Sequence, residues 1–334
     1  MTTLLKTNPF VTVIALDFSK AFDTVRHSEL MSKFAKLDMP DVIHNWLVNF
    51  FTGRSHCTKY AGATSATAPI SASVVQGSAI GPASYAVTAA DLHPITDGNS
   101  LAKFADDTYL IVPASLSSTI ANELANIDDW ATCNNLKLNK TKSYELIFRI
   151  RRDNKSAGSI PPLTQGISRV SVLKCLGVTI SDNVSVTPHI NDVLGSCASS
   201  LYALRMLRAK GLCNELLQIV FKSTVLSKLL YASQVWWGYA NAADKDRLQS
   251  FLRKATKAKF CTEEISFETL CKAADHALFK KVTGDPSHVL YALLPPKVSH
   301  TYNLRPKGHH YELSVKTSNF DDKNFITRML FEVV

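Results

Sequence analysis

The sequence predicts an α+β fold, in which an antiparallel sheet with helices on one face is followed along the chain by a helical region. The first observation behind this prediction is an uninterrupted apolar run, Phe10–Leu16, which has the composition of a strand buried on both faces. The second is a pair of short β-prone runs on either side of Asp106 and Asp107, a pattern typical of a hairpin. The third is the recurrence of apolar residues every three to four positions beyond residue 188, which indicates packed helices.

We expect three regions, divided by changes in pattern and composition. Residues 1–182 contain the predicted sheet, 183–260 form a basic helical domain, and 261–334 form an irregular C-terminal region of unknown role. Within the first region, residues 151–162 combine charged, glycine and proline residues, which predicts a flexible loop. The chain of 334 residues is 46% hydrophobic, so it can bury a core in each of several subdomains.

The elements of the first region can be predicted in chain order. After the first strand, Leu30, Phe34 and Leu37 recur at helical spacing, and Pro40 ends that helix. A second helix is expected over 41–51. The remaining predicted elements are a short hairpin within 54–75, a buried helix near 82–92, an amphipathic helix at 116–133, a strand at 144–150 and further strands near 170–181.

Composition and cysteine spacing exclude several classes of protein. The seven cysteines are scattered and form no C-x-x-C pair, which predicts reduced thiols and not a disulfide framework. No apolar run reaches the length of a membrane span, and the N-terminus lacks the basic and apolar segments of a secretory signal. We therefore expect an intracellular protein, nuclear or cytoplasmic, with no membrane partner.

The positive charge of the chain is confined to one segment. The net charge is +9, and residues 197–310 carry 17 Lys and Arg against 8 Asp and Glu, which accounts for the whole excess. A basic surface of this kind is expected for a protein that binds a nucleic-acid backbone. Arg253, Lys254 and Lys257 share one predicted helix and are the candidate nucleic-acid-binding residues. The alternative explanation is an ordinary solvated helical face.

Three acidic residues are candidates for a shared metal site. Asp106 and Asp107 are adjacent at the tip of the predicted hairpin, where two negative charges repel each other unless a cation lies between them. Asp is also a common turn residue, so this pair alone has an ordinary structural explanation. Asp17 directly follows the apolar strand and brings a third carboxylate to a strand end. If the three meet, their oxygens suit Mg²⁺, and two such ions can promote an in-line displacement at phosphorus.

Five ordered stretches resemble the motifs of one enzyme family. Leu16–Val25, Gln76–Pro82 and Phe104–Thr108 resemble motifs A, B and C of reverse transcriptases, specifically those of non-LTR (LINE-type) retrotransposons. Asn134–Lys142 resembles motif D, and Leu176–Ser181 resembles the primer-grip motif E. The segment that begins at Tyr302 and ends at Pro306 is similar to the region beyond the thumb in such elements. The resemblance therefore covers nearly the whole chain.

The resemblance implies a fold, an activity and a set of partners. Residues 1–182 would form a polymerase palm, and 183–260 would form a helical thumb. The activity would be that of an RNA-directed DNA polymerase, which adds dNTPs to a DNA primer on an RNA template. Asp17, Asp106 and Asp107 would be catalytic and hold two Mg²⁺ ions, for which Mn²⁺ can substitute.

Further site residues follow from the same resemblance. Phe18 and Phe22 would contact the substrate, and the ring of Phe22 would leave no room for a 2′-hydroxyl, although a core-packing role for Phe22 is the alternative. Gln76 and Gly77 would border the nascent base pair and the template. A lysine of motif D, Lys140 or its near neighbour Lys142, would donate a proton to the departing pyrophosphate. We name Lys140 as the first choice.

In one respect the chain departs from the family pattern. Members usually carry a fingers subdomain ahead of motif A, and this chain begins shortly before Asp17. We therefore expect weak or absent polymerase activity from this chain alone, because the fingers supply basic residues that grip the triphosphate. A non-catalytic RNA- or DNA-binding relic of a retrotransposon is the alternative function, and a two-metal nuclease is a third.

Overall fold

The structure is a computed structural model. It describes residues 1–75, 77–149, 160–261, 265–298, 309–313 and 315–332. The chain divides into two units, one from Thr3 to Ser171 and one from Val172 to Val334, and each is described on its own. Three features predicted from the sequence fall wholly or mostly outside the described residues: Gln76, the loop near 151–162 and the Tyr302–Pro306 segment.

The first unit contains one five-stranded sheet, two short two-stranded ladders and six helices within the described residues. The strands are β1 (Phe10–Leu16), β2 (Ser55–His56), β3 (Lys59–Tyr60), β4 (Ala63–Thr64), β5 (Ala68–Pro69), β6 (Ser100–Phe104), β7 (Asp107–Pro113), β8 (Tyr144–Arg149) and β9 (Ser168–Arg169). The helices are α1 (Leu4–Thr7), α2 (Ala21–Thr24), α3 (His27–Phe34), α4 (Asp41–Phe51), α5 (Gly81–Thr88) and α6 (Ile120–Cys133). Short 3₁₀ segments cover Ala114–Thr119 and Lys140–Lys142.

The apolar strand β1 lies at the centre of the sheet, whose strand order is β6-β7-β1-β8-β9. Six of the seven residues of β1 are buried, which explains why its sequence is apolar from end to end. It pairs antiparallel with β7 on one side and with β8 on the other. The one parallel pairing in this sheet, β8 with β9, is short. This antiparallel-dominated sheet confirms the predicted fold class.

The core of the first unit lies between the sheet and its helices. Ile14 of β1 and Leu110 of β7 belong to the same buried cluster as Leu30 of α3, Tyr85 of α5 and Ile127 of α6. The helix predicted over 41–51 is present with those bounds as α4. Burial of these side chains stabilises the first unit, because each removes a large apolar area from water.

Helix α5 is shorter than the helix predicted near 82–92, and two lysines account for its end. Lys33 donates a hydrogen bond to the carbonyl of Thr88. Lys103 donates to the carbonyls of Ala89 and Leu92, at 2.6 and 2.8 Å. Carbonyls at a helix C-terminus have no partner within the helix, so ammonium groups that bind them stabilise the chain where it leaves the helix.

The second unit is mainly helical. It begins with a hairpin of strands β10 (Val172–Cys175) and β11 (Val178–Ser181). Its helices are α7 (Thr187–Ala209), α8 (Asn214–Val220), α9 (Ser227–Leu230), α10 (Ser233–Trp236), α11 (Ala242–Lys257), α12 (Phe267–Gly284) and α13 (Phe325–Glu332). A π-helical segment, Phe221–Leu226, joins α8 to α9. None of the helices in the described ranges combines the length and the apolar composition that crossing a bilayer requires.

The boundary between the units lies earlier than the predicted boundary after residue 182. The hairpin β10–β11 belongs to the second unit, because Val178 of β11 is buried in the same cluster as Ile190 of α7 and Trp236 of α10. The hairpin turn at Leu176 and Gly177 has positive φ at both residues, which hairpin turns of two residues favour. The sequence pattern shows the two strands but not the core against which they pack.

The prediction that residues 261–334 are irregular is wrong for a large part of that region. Helix α12 covers 18 residues, and α13 covers eight. The apolar face of α12 is hard to recognise in the sequence because Asp275 lies within it. That carboxylate is 1% exposed, and its Oδ2 atom accepts a hydrogen bond from Arg328 at 2.8 Å. A charge is tolerated at such a position only when it is paired.

Candidate active site

Asp17 directly follows β1, and hydrogen bonds fix both its main-chain N–H and its carbonyl. Its N–H donates to the hydroxyl of Ser143 at 3.2 Å, and its carbonyl accepts from the N–H of Asn139 at 2.8 Å. The next residue, Phe18, forms an isolated antiparallel bridge with Leu138. The segment that resembles motif D therefore runs beside the segment that resembles motif A, and it fixes the main chain from which the Asp17 carboxylate projects.

Asp106 and Asp107 lie at the tip of the hairpin formed by β6 and β7, as the sequence predicts. Phe104 pairs with Asp107, so that Ala105 and Asp106 form a two-residue turn. Ala105 has a φ of 51°, a conformation that is rare and strained for a residue with a Cβ atom. Such strain is often found at functional sites, where it aims a neighbouring side chain.

The three acids are brought together although Asp17 is distant from the others in sequence. Leu16 of β1 pairs with Thr108 of β7, so Asp17 follows β1 at the level where Asp107 begins β7. Asp17 and Asp106 line one cavity of about 470 Å³. Partial burial raises the pKa of Asp107, and the negative charges of Asp106 and Asp17 raise it further. The strand register thus places the three acids at the same end of the sheet.

The donor set suits a hard divalent cation. Carboxylate oxygens are the ligands that Mg²⁺ and Mn²⁺ prefer, and a cation among these three would offset the repulsion that raises the pKa of Asp107. Within the parts of the chain that the structure describes, no group of three or more His, Cys, Asp or Glu side chains is arranged to hold a metal ion. The three carboxylates fit such an ion by their chemistry, and Asp17 and Asp106 also share a cavity, but they are not spaced as a ready-made metal site.

The two phenylalanines of the motif A segment occupy different environments. Phe22 is half-buried, lines the cavity and lies against the ring of Tyr85, with ring centroids 4.8 Å apart. Burial raises the pKa of Tyr85, and the charge of Asp106 adds to this effect, so the phenol stays protonated. Phe18 borders the cavity, but its ring is 4% exposed and packs edge-on against Trp130. The ring of Phe18 thus packs in the core, and its contact with the substrate stays a prediction.

Of the two residues predicted from motif B, one can be located. Gly77 is exposed and has a φ of 80°, and a Cβ atom there would meet nothing within 4 Å. Glycine is therefore favoured by the backbone conformation and not by lack of space. Gly77 is not among the described residues that line the cavity of Asp17 and Asp106. Gln76 lies outside the described residues.

The structure separates the two lysines of the motif D segment. Lys142 lines the cavity with Asp17 and Asp106. Lys140 lines a different cavity, and its Nζ atom lies 3.4 Å from the carboxylate of Asp128. The cavity shared with the two acids therefore favours Lys142 over Lys140 as the proton donor, and this role stays a prediction. Both lysines belong to one 3₁₀ turn of three residues per turn, so side chains two positions apart point in different directions.

Three residues around the cavity were not singled out from the sequence. Lys20 is exposed, lines the cavity and has a φ of 52°. A lysine three residues after an acid in a segment that resembles motif A is a signal that could have identified it. Asn139 also lines the cavity, and its side chain accepts from the N–H of Lys142 at 3.3 Å. Nothing in the sequence indicates that Asn139 or Ser143 supports Asp17, since the contacts depend on the fold.

The predicted nucleic-acid-binding residues lie in the second unit. Arg253, Lys254 and Lys257 are exposed in the last turns of α11, while Leu248 and Leu252 on its other face are buried. None of the three cations belongs to an ion pair among the described residues. They form a basic face that can contact phosphates. Cations at a helix C-terminus also interact favourably with the helix dipole, so a structural role remains the alternative.

Comparison with known families places this arrangement in context. Residues 3–180 match the family described as reverse transcriptase (RNA-dependent DNA polymerase). The probable RNA-directed DNA polymerase from transposon BS of Drosophila melanogaster is 26% identical over 264 residues, which are 75% of this chain and 29% of that protein. The RNA-directed DNA polymerase from mobile element jockey of the same species is 27% identical over 237 residues, 66% of this chain and 25% of that protein. The chain thus spans less than a third of the length of these relatives.

Solved structures with some likeness are telomerases. One is a telomerase from Candida tropicalis in complex with a TWJ fragment of telomeric RNA. The alignment covers 86% of this chain and 49% of the telomerase chain, with 13% identity and a TM-score of 0.42. A telomerase from Candida albicans in the same kind of complex covers 81% of this chain and 50% of its own, with 10% identity and a TM-score of 0.43. TM-scores below 0.5 carry no argument about function.

Proposed function

The chain belongs to the reverse transcriptase (RNA-dependent DNA polymerase) family, and from this premise we propose that it is the RNA-directed DNA polymerase domain of a non-LTR retrotransposon. In the proposed reaction, the 3′-hydroxyl of a DNA primer attacks the α-phosphate of a dNTP paired with an RNA template, and pyrophosphate leaves. The family match and the relatives in Drosophila mobile elements confirm the family that motifs A to E predict.

One observation carries the catalytic part of the proposal. Asp17 and Asp106 line the same cavity, and their charges raise the pKa of Asp107. A turn role for Asp106 and Asp107 would not require a third carboxylate beside them. The convergence of three acids from two separate stretches of sequence supports a phosphoryl-transfer site, where negative charge must be concentrated around cations.

Asp17, Asp106 and Asp107 are the residues that would hold two Mg²⁺ ions, for which Mn²⁺ can substitute. When bound, such ions stabilise the negative charge that develops on the transferring phosphoryl group and on the leaving oxygen. The contribution of the chain is rigidity. Ser143 and Asn139 hold the main chain of Asp17, and the closing pair Phe104–Asp107 holds the tip of the hairpin.

Basic and aromatic residues of the cavity complete the proposed mechanism. Lys142 shares the cavity with Asp17 and Asp106, which supports it as the donor of a proton to the departing pyrophosphate. Lys20, on the same cavity, is suited to bind the triphosphate. The half-buried ring of Phe22 would close the space that a ribose 2′-hydroxyl needs. Gln76 and Gly77 would border the nascent base pair.

The basic face of α11 supports the proposal that the chain binds an RNA template and a DNA primer. Arg253, Lys254 and Lys257 would contact phosphates of the RNA template and DNA primer without reading sequence. Such contacts position a duplex, and their strength falls steeply with salt concentration.

Primer extension on poly(rA)/oligo(dT) with Mg²⁺ tests the proposal. We expect any extension by the wild-type chain to be weak, as the sequence predicts, to be abolished by Asp106→Asn and to be retained by Asp38→Asn. Asp38 is a matched control because it is an exposed carboxylate of the same unit that does not line the cavity. Extension that persists in Asp106→Asn would overturn the proposed site, and release of mononucleotides would indicate a nuclease.

A non-catalytic nucleic-acid-binding relic is the second candidate function. One observation favours it: α11 presents an exposed basic face. This function predicts salt-dependent binding of an RNA–DNA duplex that neither Mg²⁺ nor Asp17→Ala changes. The same preparation, tested for extension and for binding, distinguishes the two functions.

A further inference from the structure

A second cavity with a distinct chemistry lies within the second unit. Its volume is about 440 Å³, and its lining residues are His276, Phe279, Lys280, Thr283, Lys297, His309, His310 and Tyr311. One wall is a single face of α12, on which His276, Lys280 and Thr283 recur at helical spacing. The other wall is a pair of short extended segments, joined by an antiparallel bridge between Lys297 and Tyr311.

Three lining residues of this second cavity, Phe279, His309 and Tyr311, are buried and fixed by packing or hydrogen bonds. Phe279 and Tyr311 are buried in one cluster with Met329 and Leu330. Both ring nitrogens of the buried His309 are used: Nε2 lies 2.7 Å from the carbonyl of Leu330, and Nδ1 accepts the N–H of Tyr311 at 3.1 Å. Because a carbonyl can only accept, His309 donates from Nε2 and is a neutral structural residue. The wall is thus fixed by the fold.

The rim of the cavity is basic. Lys280, Lys297 and His310 are exposed, and none of the described residues that line the cavity is acidic. Among the described residues, the one ion pair that involves a lining side chain joins His276 to Glu332, with nitrogen and oxygen 3.8 Å apart. The ammonium of Lys297 lies 5.5 Å from the ring centroid of Tyr311, so the ring favours the cation in this position. The positive charges of the rim are otherwise uncompensated.

We propose that this cavity binds a phosphate group. A phosphate can accept hydrogen bonds from the ammonium groups of Lys280 and Lys297 and from the imidazole of His310. A nucleic-acid backbone and a free nucleotide both carry this group, and the binding measurements below distinguish the two sources. The inference does not depend on the carboxylates of Asp17, Asp106 and Asp107, which belong to the other unit.

Binding measurements on the full chain test this inference. The variant Lys280→Gln/Lys297→Gln removes two charges from the rim. The matched control Lys272→Gln/Lys281→Gln removes two charges from exposed positions of the same helix outside the cavity, where Lys272 pairs with Glu268 at the surface. Affinity for single-stranded oligo(dT) and for deoxyadenosine 5′-monophosphate is measured over a range of salt concentrations, and thermal unfolding confirms that each variant is folded.

We expect the rim variant to bind oligo(dT) at least about tenfold more weakly than the control, with the slope of log affinity against log salt reduced by about 0.7 for each lost phosphate contact. Weaker binding of oligo(dT) alone identifies a backbone phosphate as the ligand. Weaker binding of the mononucleotide as well identifies a site open to free phosphates. Unchanged binding of both ligands, or an equal loss in the control, would overturn the proposal. Primer extension is a separate readout, so its failure does not bear on this site.

Discussion

The main-chain N–H of Asp17 donates a hydrogen bond to the hydroxyl of Ser143, and the two atoms lie 3.2 Å apart. Ser143 is fully buried, and its hydroxyl in turn donates to the carbonyl of Asn139 at 2.8 Å. One side chain therefore joins the strand end that carries an acid of the candidate site to the turn that carries Lys142. This relationship links the stability of the first unit to the position of Asp17.

We predict that Ser143→Ala destabilises the first unit by about 1–3 kcal/mol, because it leaves the partly buried N–H of Asp17 without its acceptor. Urea unfolding followed by circular dichroism measures the change. The control is Ser32→Ala, which removes an exposed hydroxyl that donates to the carbonyl of Ser28 and should cost less than about 0.5 kcal/mol. Equal stability of the wild type and Ser143→Ala would show that the contact is dispensable.

Glu123 should make the stability of the first unit dependent on pH. Its side chain is fully buried, and although desolvation would raise its pKa, hydrogen bonds from Asn99, Ile95 and Thr96 hold the pKa below its usual value. A lowered pKa in the folded state stabilises the fold above the unfolded pKa, and this contribution is lost as the pH falls through the folded pKa. Glu123→Gln should therefore be less stable than wild type at neutral pH.

The difference between Glu123→Gln and the wild type should stay constant from about pH 7 down to about 4.3, the usual pKa of a Glu carboxyl, and should shrink as the pH falls further through the lowered folded pKa. Urea unfolding midpoints at a series of pH values measure it. Glu29→Gln is the control, since Glu29 is exposed. A stability difference that stays constant below about pH 4.3 as well would contradict the assigned role of the Glu123 carboxylate.

The two lysines of the 3₁₀ turn provide a paired test of proton donation. Lys142→Ala should lower kcat of primer extension by a factor of about 10²–10⁴, the usual contribution of a positioned acid. Lys140→Ala should leave kcat near the wild-type value, because Lys140 faces Asp128 in a different cavity. Rapid-quench kinetics measure both variants. A larger loss in Lys140→Ala than in Lys142→Ala would reverse the assignment.

Phe22 should control the choice between deoxyribonucleotides and ribonucleotides. Phe22→Val removes the ring that lines the cavity beside Tyr85 and makes room for a 2′-hydroxyl. We expect the preference for dTTP over UTP to fall by a factor of about 10–200, which corresponds to the 1–3 kcal/mol that pocket shape can supply. The ratio of kcat/KM values for the two substrates measures it. An unchanged ratio would favour a purely core-packing role for Phe22.

Sequence reasoning predicts the central features of the first unit because they depend on local pattern. The apolar run Phe10–Leu16 specifies a buried strand wherever its partners lie, and two β-prone runs around Asp106 specify a hairpin. The order of the motifs then predicts that Asp17 belongs to the same site as Asp106 and Asp107. No distance in the sequence indicates this meeting, since the pairing of β1 with β7 joins residues that are far apart in the chain.

The features that sequence reasoning misses depend on tertiary structure. Lys140 and Lys142 are equivalent in the sequence, and only the 3₁₀ turn separates their directions. Asp275 interrupts the apolar face of α12, and Arg328, which compensates it, lies far along the chain. The hairpin β10–β11 is predictable as two strands, but its place in the second unit depends on the core around Val178.

Direct titration with Mn²⁺, followed by electron paramagnetic resonance, tests without any need for catalysis whether Asp17, Asp106 and Asp107 share divalent cations. We predict saturable Mn²⁺ binding by the wild-type chain, at least about tenfold weaker binding in Asp17→Asn and in Asp106→Asn, and wild-type binding in the control Asp38→Asn. Mn²⁺ binding in Asp17→Asn that equals the wild type would contradict the claim, because Asp17 would then be no part of the ion site.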